Sequence, residues 1–374
     1  MIWANPITAF KGVRNAYTVS LPGVAHPYVF LDHHVDDDYP YLVTPTGVAD
    51  EGTPVATRPE APHLMRAVGL GRDERVALLK VSQREGGFEA VNTYDTGYVS
   101  VGFIQFAAMK SGTGSLTKLL ERMRSDSPQD FHHYFQAYGI DVDDQDRLCA
   151  IDPSTGRVLH GDEAVSAIIA DKRLTAVFSH AGAGSEAFQK AQIAQAADVF
   201  YAPSHDFRLR VAKVTDHYDP AHPLDTYCYG DDAISAATQL VASENASPWQ
   251  PLAPTSGVPY TGPRYTLEME APLTGRYGRI FQSQAGRTAI TDRCVQRGYE
   301  AGPKKQGLAA KFAEAVGVVA NGRRVTVQDL AGSERDLISV VQNRILVLAD
   351  STLGQPGDEM RVASKNRANN TTLR

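Results

Sequence analysis

The sequence predicts an α+β fold that is mostly α, with a small β-hairpin beside a cleft and a β-rich region at the N-terminus. Three observations support this prediction. Residues 63–210 and 273–353 of the 374-residue chain consist largely of helix-forming runs with apolar residues at helical spacing. Residues 98–106 instead alternate apolar with small or polar residues, as a half-exposed strand does. Residues 1–62 are rich in Pro, Val, Tyr and Thr, which favours short strands over helices.

The N-terminal region contains alternating runs at 17–21 and 39–44, which predict strands. The Pro-rich stretch 54–62 is interpreted as a linker, so residues 1–62 are predicted to be an accessory or docking region. A group of His and Asp side chains here has the chemistry of a metal site, but neighbours in sequence seldom converge on one ion. We therefore interpret this group as a solvated loop: His33, His34, Asp36, Asp37 and Asp38.

A helix is predicted over residues 72–84, which contain no Gly or Pro and are rich in helix formers. Leu78, Val81 and Glu85 fall on one face of it, and Gly86 and Gly87 then end the helix. Glu85 is therefore expected at the edge of the core. Burial there disfavours the charged carboxylate and raises its pKa, which is what a general acid near neutral pH requires.

A turn is predicted over residues 92–97, where Asn, Asp and Gly follow one another at short intervals. The strand 98–106 comes next, with Val99, Val101 and Phe103 on its apolar face and Ser100 on its polar face. Asp95 lies at the mouth of the turn. The hypothesis is that Asp95 and Ser100 both face Glu85.

These residues carry a resemblance to a known family. The motif E-G-G-F at residues 85–88, followed by S-x-G-x-x-Q-F at residues 100–106, resembles the lysozyme superfamily, including its lytic transglycosylases. Aligned on Gly102, Asp95 takes the position of the catalytic Asp of the superfamily's chitosanases, and Ser100 takes the position of the Thr that orients water there. Gln105 departs from the chitosanase pattern and agrees with the lysozyme and transglycosylase pattern.

The resemblance implies roles for individual residues. Glu85 is expected to be the general acid and Asp95 the second catalytic carboxylate. Four residues are predicted to bind substrate: Tyr98, Ser100, Gln105 and Asp292. Asp292 is included because its segment resembles parts of the superfamily that line the cleft. No metal and no cofactor is expected.

The expected activity is hydrolysis of β-1,4 glycosidic bonds in peptidoglycan, as by a muramidase, with cleavage by a lytic transglycosylase as a variant. Three alternatives stay open. These alternatives are a chitosanase, a glycan-binding module without activity, and a structural component of a phage tail or injection machine.

The remainder of the chain is predicted to complete one lysozyme-like domain over residues 63–353. Helices are expected at 115–123, 128–138, 161–178 and 185–200, and a long core helix is expected to be capped by Ser333 and Asp336. Residues 211–272 are interpreted as a loop insertion, and residues 354–374 as a polar mobile tail. The insertion holds a second group of metal-type side chains, again interpreted as solvated: His217, Asp219, His222, Asp225 and Cys228.

Composition narrows the functional classes. The net charge of −6 and the isoelectric point near 6.0 argue against nucleic acid as a partner, because nucleic-acid binding needs a basic surface. The three cysteines are widely spaced and give no disulfide framework. The sequence contains no apolar run long enough for a membrane span.

The N-terminus shows no secretory signal pattern, so synthesis in the cytoplasm is expected. A cell-wall enzyme made in this way must reach the wall or periplasm by non-classical delivery, as a phage endolysin or as an effector of a secretion machine. The expected partners are then the amino-sugar polymer and a delivery machine, chaperone or immunity protein.

Overall fold

The computed structural model describes residues 16–32, 44, 46–215, 227–229, 264–299, 307–320 and 325–342. The chain is a mixed α+β protein, mostly helical, with small antiparallel sheets. It divides into two compact units, and the described residues up to Val199 belong to unit 1 and those from Phe200 onward to unit 2. Among the described residues, no helix combines the length and the apolar character needed to cross a membrane.

Unit 1 contains a six-stranded antiparallel sheet whose strands follow one another in chain order. Its strands are β1 (Ala16–Val19), β2 (Tyr28–Asp32), β3 (Val48–Asp50), β4 (Val91–Asn92), β5 (Ser100–Val101) and β6 (Phe106–Ala107). A second antiparallel sheet consists of β7 (Ile140–Val142), β8 (Leu148–Ile151) and β9 (Val158–His160).

Seven α-helices pack around these sheets in the described part of unit 1. They are α1 (Ala61–Ala67), α2 (Arg72–Glu85), α3 (Ser115–Asp126), α4 (Pro128–Tyr134), α5 (Asp162–Ala170), α6 (Lys172–Gly184) and α7 (Glu186–Val199), with 3-10 turns at Val55–Thr57 and Gln136–Tyr138.

The core of unit 1 forms around aromatic side chains. Phe88 and Phe106 each make an edge-to-face contact with Phe103, so the loop after α2 packs on the strands that follow it. Phe188 of α7 packs edge-to-face on Phe135. Such ring pairs stabilise the core beyond the contribution of the apolar area that the rings bury. The helix that ends at Glu85 and the hairpin that carries Asp95 are thereby fixed to one core.

The predicted boundary between residues 62 and 63 lies inside unit 1, because strands on both sides of it pair in the same sheet. Ala49 of β3 pairs with Asn92 of β4. The stretch predicted as a linker forms the 3-10 turn Val55–Thr57 and the start of α1, with Val55 and Ala61 fully buried. The predicted domain 63–353 spans both units.

The strand predicted over residues 98–106 is wrong in extent. Only Ser100–Val101 and Phe106–Ala107 are strands, and they pair with each other as a hairpin. Gly102 has φ +82° and Gln105 has φ +58°, and the Gln105 N–H donates to the Gly102 carbonyl oxygen. Left-handed backbone at both positions turns the chain back on itself.

Two helix predictions also need correction. The run predicted over 161–178 is broken at Asp171, whose side chain accepts a hydrogen bond from Arg173 N and caps α6. Asp at an N-cap favours this break. Ser333 makes no side-chain capping bond, because its backbone does not have the extended conformation of an N-cap. The capping box forms at Thr326 and Asp329.

Unit 2 combines an antiparallel sheet with five α-helices in its described part. They are β10 (Asp206–Thr215), β11 (Tyr227–Tyr229), β12 (Arg264–Arg276), α8 (Tyr277–Ile280), α9 (Gln284–Arg297), α10 (Leu308–Ala320), α11 (Val327–Gly332) and α12 (Glu334–Val341), with a 3-10 turn at Ala202–Ser204. Phe207, Tyr277 and Phe312 pack their rings against one another in its core.

Several predictions concern residues outside the described ranges. They include residues 39–43 of the strand predicted at 39–44, the His and Asp side chains of the two groups near the N-terminus and in the insertion, the end of the predicted core helix, and the tail 354–374. Among the described residues, Cys149 and Cys294 are buried free thiols.

Candidate active site

Glu85 ends α2 at the position expected from the sequence. Leu78 and Val81, on the same helix face, are buried, and Glu85 itself is half-buried. Gly86 has φ +116°, and a Cβ on it would lie 2.5 Å from the Glu51 carbonyl oxygen. Only glycine fits this close approach, so the chain leaves the helix sharply and Glu85 stays at its rim.

The loop after Glu85 is held by neighbouring backbone and by an ion pair. Gly87 N donates to the Glu51 carbonyl oxygen at 2.7 Å. Glu89 Oε1 accepts from Arg58 Nη2 at 2.5 Å and from Thr53 N at 2.8 Å. Glu89 Oε2 is buried without a hydrogen-bond partner among the described residues. Glu89 is thus another carboxylate close to Glu85 in the chain, and it was not among the residues predicted from the sequence.

Asp95 lies in the turn between β4 and β5. Its Oδ1 accepts from Gly97 N at 2.8 Å, and its Oδ2 accepts from Asn92 Nδ2 at 2.9 Å. Burial of this carboxyl raises its pKa above the ordinary value of 3.8, and the bonds from Gly97 and Asn92 oppose the shift without cancelling it. Asp95 is therefore a more basic carboxylate than a solvated one.

Ser100 lies beside Asp95. The Ser100 Oγ and Asp95 Oδ1 atoms are 2.3 and 3.1 Å from the position that a Cβ on Gly97 would occupy. Ser100 is only 4% exposed, so the polar strand face predicted to be open is covered here. The absence of a side chain at Gly97 is what lets the hydroxyl and the carboxylate approach each other.

Tyr98 shares the Asp95 turn. It has φ +61°, and its N–H donates to the Asp95 carbonyl oxygen at 3.0 Å. A left-handed conformation is costly for a bulky residue, and the bonds of the turn hold it in place. The Tyr98 side chain is half-buried, so it keeps partial access to solvent.

Gln105 connects the β5–β6 hairpin to helix α2. Its Nε2 donates to the Glu85 carbonyl oxygen at 2.9 Å and to the Gly102 carbonyl oxygen at 3.3 Å. Its Oε1 is buried and has no hydrogen-bond partner among the described residues. Gln105 was predicted to bind substrate, and in the structure its side-chain NH₂ group fixes the end of α2 against the hairpin.

Asp292 is the remaining residue predicted to bind substrate. It lies in α9 of unit 2 and is 3% exposed, which leaves substrate little access to its side chain. The site described here is built from unit 1 alone, and it brings together Glu85 with Gln105, and Asp95 with Tyr98 and Ser100.

Gln192 of α7 is a supporting residue that sequence reasoning missed. Its Nε2 donates to the Phe88 carbonyl oxygen at 2.9 Å, and its Oε1 accepts from Phe103 N at 3.3 Å. One buried amide thus joins the loop after Glu85 to the turn between β5 and β6. The signal available in the sequence is the series Gln189, Gln192 and Gln195, three buried amides on one helix face.

No family model, curated protein or solved structure matches the chain in the comparisons made with each.

Proposed function

We propose that unit 1 is a glycoside hydrolase of the lysozyme type, acting on the β-1,4 bonds of peptidoglycan. The observation that carries the proposal is that unit 1 holds a half-buried Glu85 at the end of α2 and, in the turn between β4 and β5, a desolvated Asp95 beside Ser100. The resemblance of residues 85–106 to the lysozyme superfamily supplies the reaction, and the geometry is compatible with it.

Glu85 is assigned the general acid. Its half-buried position leaves the carboxyl reachable by a bound polymer while its helix face packs on the core. A glycosidic oxygen within hydrogen-bond distance would receive the proton as the bond to the sugar breaks. Gln105 restrains the backbone of Glu85 and thereby limits the positions that the acid can take.

Asp95 is assigned the second carboxylate. The raised pKa makes its ionised form a stronger base than a solvated Asp. It either activates the attacking water, which inverts the anomeric configuration, or attacks the sugar itself, which retains it. The Ser100 hydroxyl on the same side of the turn is positioned to orient a water beside Asp95.

A chitosanase is the second candidate, and a specific observation favours it. The neighbouring Asp95 and Ser100 side chains reproduce the pairing of catalytic Asp and water-orienting Thr that the chitosanase resemblance implies. Gln105 weighs the other way, because it agrees with the lysozyme and transglycosylase pattern.

Digestion of purified peptidoglycan and of chitosan tests the proposal, with products identified by mass spectrometry. Reducing muropeptides would establish a muramidase, and anhydro-sugar ends would indicate a lytic transglycosylase. Release from chitosan alone would make the protein a chitosanase. Binding to either polymer without release would leave a glycan-binding or structural role in place of the proposed activity.

Peptidoglycan lies outside the cytoplasmic membrane, so this function requires delivery to the cell wall or periplasm. The proposed partners are a delivery machine, a chaperone or an immunity protein. Affinity purification from the producing cell tests this, because a phage or secretion assembly recovered with the chain would identify the route. Recovery of a tail or injection complex with no hydrolytic activity would favour the structural alternative.

A further inference from the structure

Three side chains of different chemistry converge on one face of the sheet β7–β8–β9. Cys149 of β8 pairs directly with His160 of β9, and Asp143 follows the last residue of β7. Cys149 Sγ is 3.2 Å from His160 Nδ1, which is 2.9 Å from Asp143 Oδ2. The three atoms all lie within 4.8 Å of one another.

This arrangement is not that of a cysteine nucleophile with a histidine base. In such a triad the nucleophile and the carboxylate contact opposite nitrogens of the imidazole. Here Cys149 Sγ and Asp143 Oδ2 both contact the same nitrogen, Nδ1 of His160. A sulfur, a nitrogen and an oxygen atom that can each bind a metal therefore lie close together.

We propose that Asp143, Cys149 and His160 form a binding site for a single divalent transition metal ion, with zinc as the best match. Thiolate, imidazole and carboxylate are the ligands that zinc takes in proteins. Ligand atoms bound to tetrahedral zinc lie roughly 3.4–3.6 Å apart, from bond lengths of about 2.0–2.3 Å. To reach this range, the observed 3.2 Å separation has to widen by roughly 0.2–0.4 Å and the 2.9 Å separation by roughly 0.5–0.7 Å.

The surroundings of Asp143 orient it for this role. Gln145 N and Arg147 N each donate to its Oδ1 at 3.0 Å, which leaves Oδ2 directed at His160. Hydrogen bonds that fix a ligand in this way are a regular feature of metal sites. Cys149 is buried and the His160 side chain is 44% exposed, so the fourth position faces solvent and is available to water.

Arg147 is the competing cation. Its Nε and Nη2 atoms lie 2.9 and 2.8 Å from Asp143 Oδ2, the oxygen assigned to the metal. The Arg147 side chain is 39% exposed and has room to turn into solvent. Metal binding therefore exchanges the guanidinium for the ion at Oδ2 and releases the Cys149 thiol proton to solvent as the metal–sulfur bond forms.

Titration of the reduced, chelator-treated full chain with Co²⁺ tests the site. The expected result is a thiolate-to-cobalt charge-transfer band that saturates at one equivalent and is lost on addition of Zn²⁺. Cys149→Ser should abolish the band, whereas the matched variant Cys294→Ser in unit 2 should keep it. Absence of the band from the wild type, or its survival in Cys149→Ser, would overturn the proposal.

Two substitutions at partly exposed side chains test the site without changing the buried cysteine, whose replacement could affect folding. His160→Ala should weaken Zn²⁺ binding in calorimetry by more than about tenfold, and exposed His132→Ala should not. Arg147→Gln should tighten binding, because it removes the competing charge. Unchanged affinity in His160→Ala, or weaker binding in Arg147→Gln, would contradict the assigned ligands. The hydrolase proposal does not depend on these outcomes.

Discussion

The side-chain amide of Gln105 donates to the backbone carbonyl of Glu85 over 2.9 Å, joining the turn of the β5–β6 hairpin to the last residue of α2. The carbonyls at a helix C-terminus lack partners within the helix, so this bond also satisfies an acceptor that would otherwise need water. The proposed acid is therefore held by a residue 20 positions further along the chain.

Gln105→Leu should remove this restraint while keeping a side chain of similar volume. We expect the free energy of unfolding to fall by about 1 kcal/mol, and kcat on peptidoglycan to fall by about tenfold with a smaller change in KM. Exposed Gln129→Leu on α4 is the control. In a Glu85→Gln background, Gln105→Leu should lower the residual rate no further, and an additive loss would contradict a role through Glu85.

Gly97→Ala should displace the second carboxylate. The added methyl would meet Ser100 Oγ at 2.3 Å and Asp95 Oδ1 at 3.1 Å, so one or both must move. We expect a loss of stability of about 1–3 kcal/mol and a larger proportional loss of activity. Gly332→Ala, which meets no atom within 4 Å, should leave stability nearly unchanged. Full activity of Gly97→Ala would show that the position of Asp95 is unimportant.

Asp95 also predicts a pH dependence of stability. Burial raises its folded pKa, so the folded protein binds this proton more tightly than the unfolded chain does. The stabilisation is present below the ordinary value of 3.8 and is lost as pH rises through the folded pKa. Urea unfolding across this range should therefore show the stability of the wild type falling relative to Asp95→Asn.

Asp152 gives a control of opposite sign. Hydrogen bonds from Ser154 and Thr155 lower its pKa to about 2, so its stabilisation is present above 3.8 and is lost as pH falls through about 2. The wild type should accordingly gain stability relative to Asp152→Asn as pH rises. The same slope in both comparisons would contradict the raised pKa of Asp95.

Gln192→Leu should be strongly destabilising. It leaves the Phe88 carbonyl and the Phe103 N–H buried without their partner, and each such loss costs about 1–3 kcal/mol. Exposed Gln145→Leu should change stability little. A denaturant midpoint close to that of the wild type would show that water or another group replaces the Gln192 amide.

The sequence predicted those features of the site that depend on local rules. Helix formers followed by Gly86 and Gly87 placed Glu85 at a helix end, and the Asn and Asp side chains predicted the turn around Asp95. The hairpin turn at Gly102 was missed because alternation alone does not reveal left-handed backbone. Gln105 in particular adopts a left-handed backbone conformation that is unfavourable for its residue type.

Contacts between residues far apart in the chain could not be predicted from local sequence patterns. Gln192 meets Phe88 across 104 positions, and the series of glutamines on its helix marks a face without revealing which residues that face contacts. Asp143, Cys149 and His160 follow no compact ligand spacing, and only the register of the sheet places Cys149 opposite His160. The division of the predicted domain 63–353 between two units also depends on long-range packing, which hydrophobic periodicity does not encode.

The central claim is that Glu85 protonates the glycosidic oxygen. The measurement that tests it most directly is the initial rate of fragment release from purified peptidoglycan by Glu85→Gln, beside exposed Glu163→Gln as a matched control. The account predicts that Glu85→Gln loses at least about 100-fold in rate with its fold intact, and that Glu163→Gln keeps the rate of the wild type. A folded Glu85→Gln protein that releases fragments as fast as the wild type would contradict the assignment.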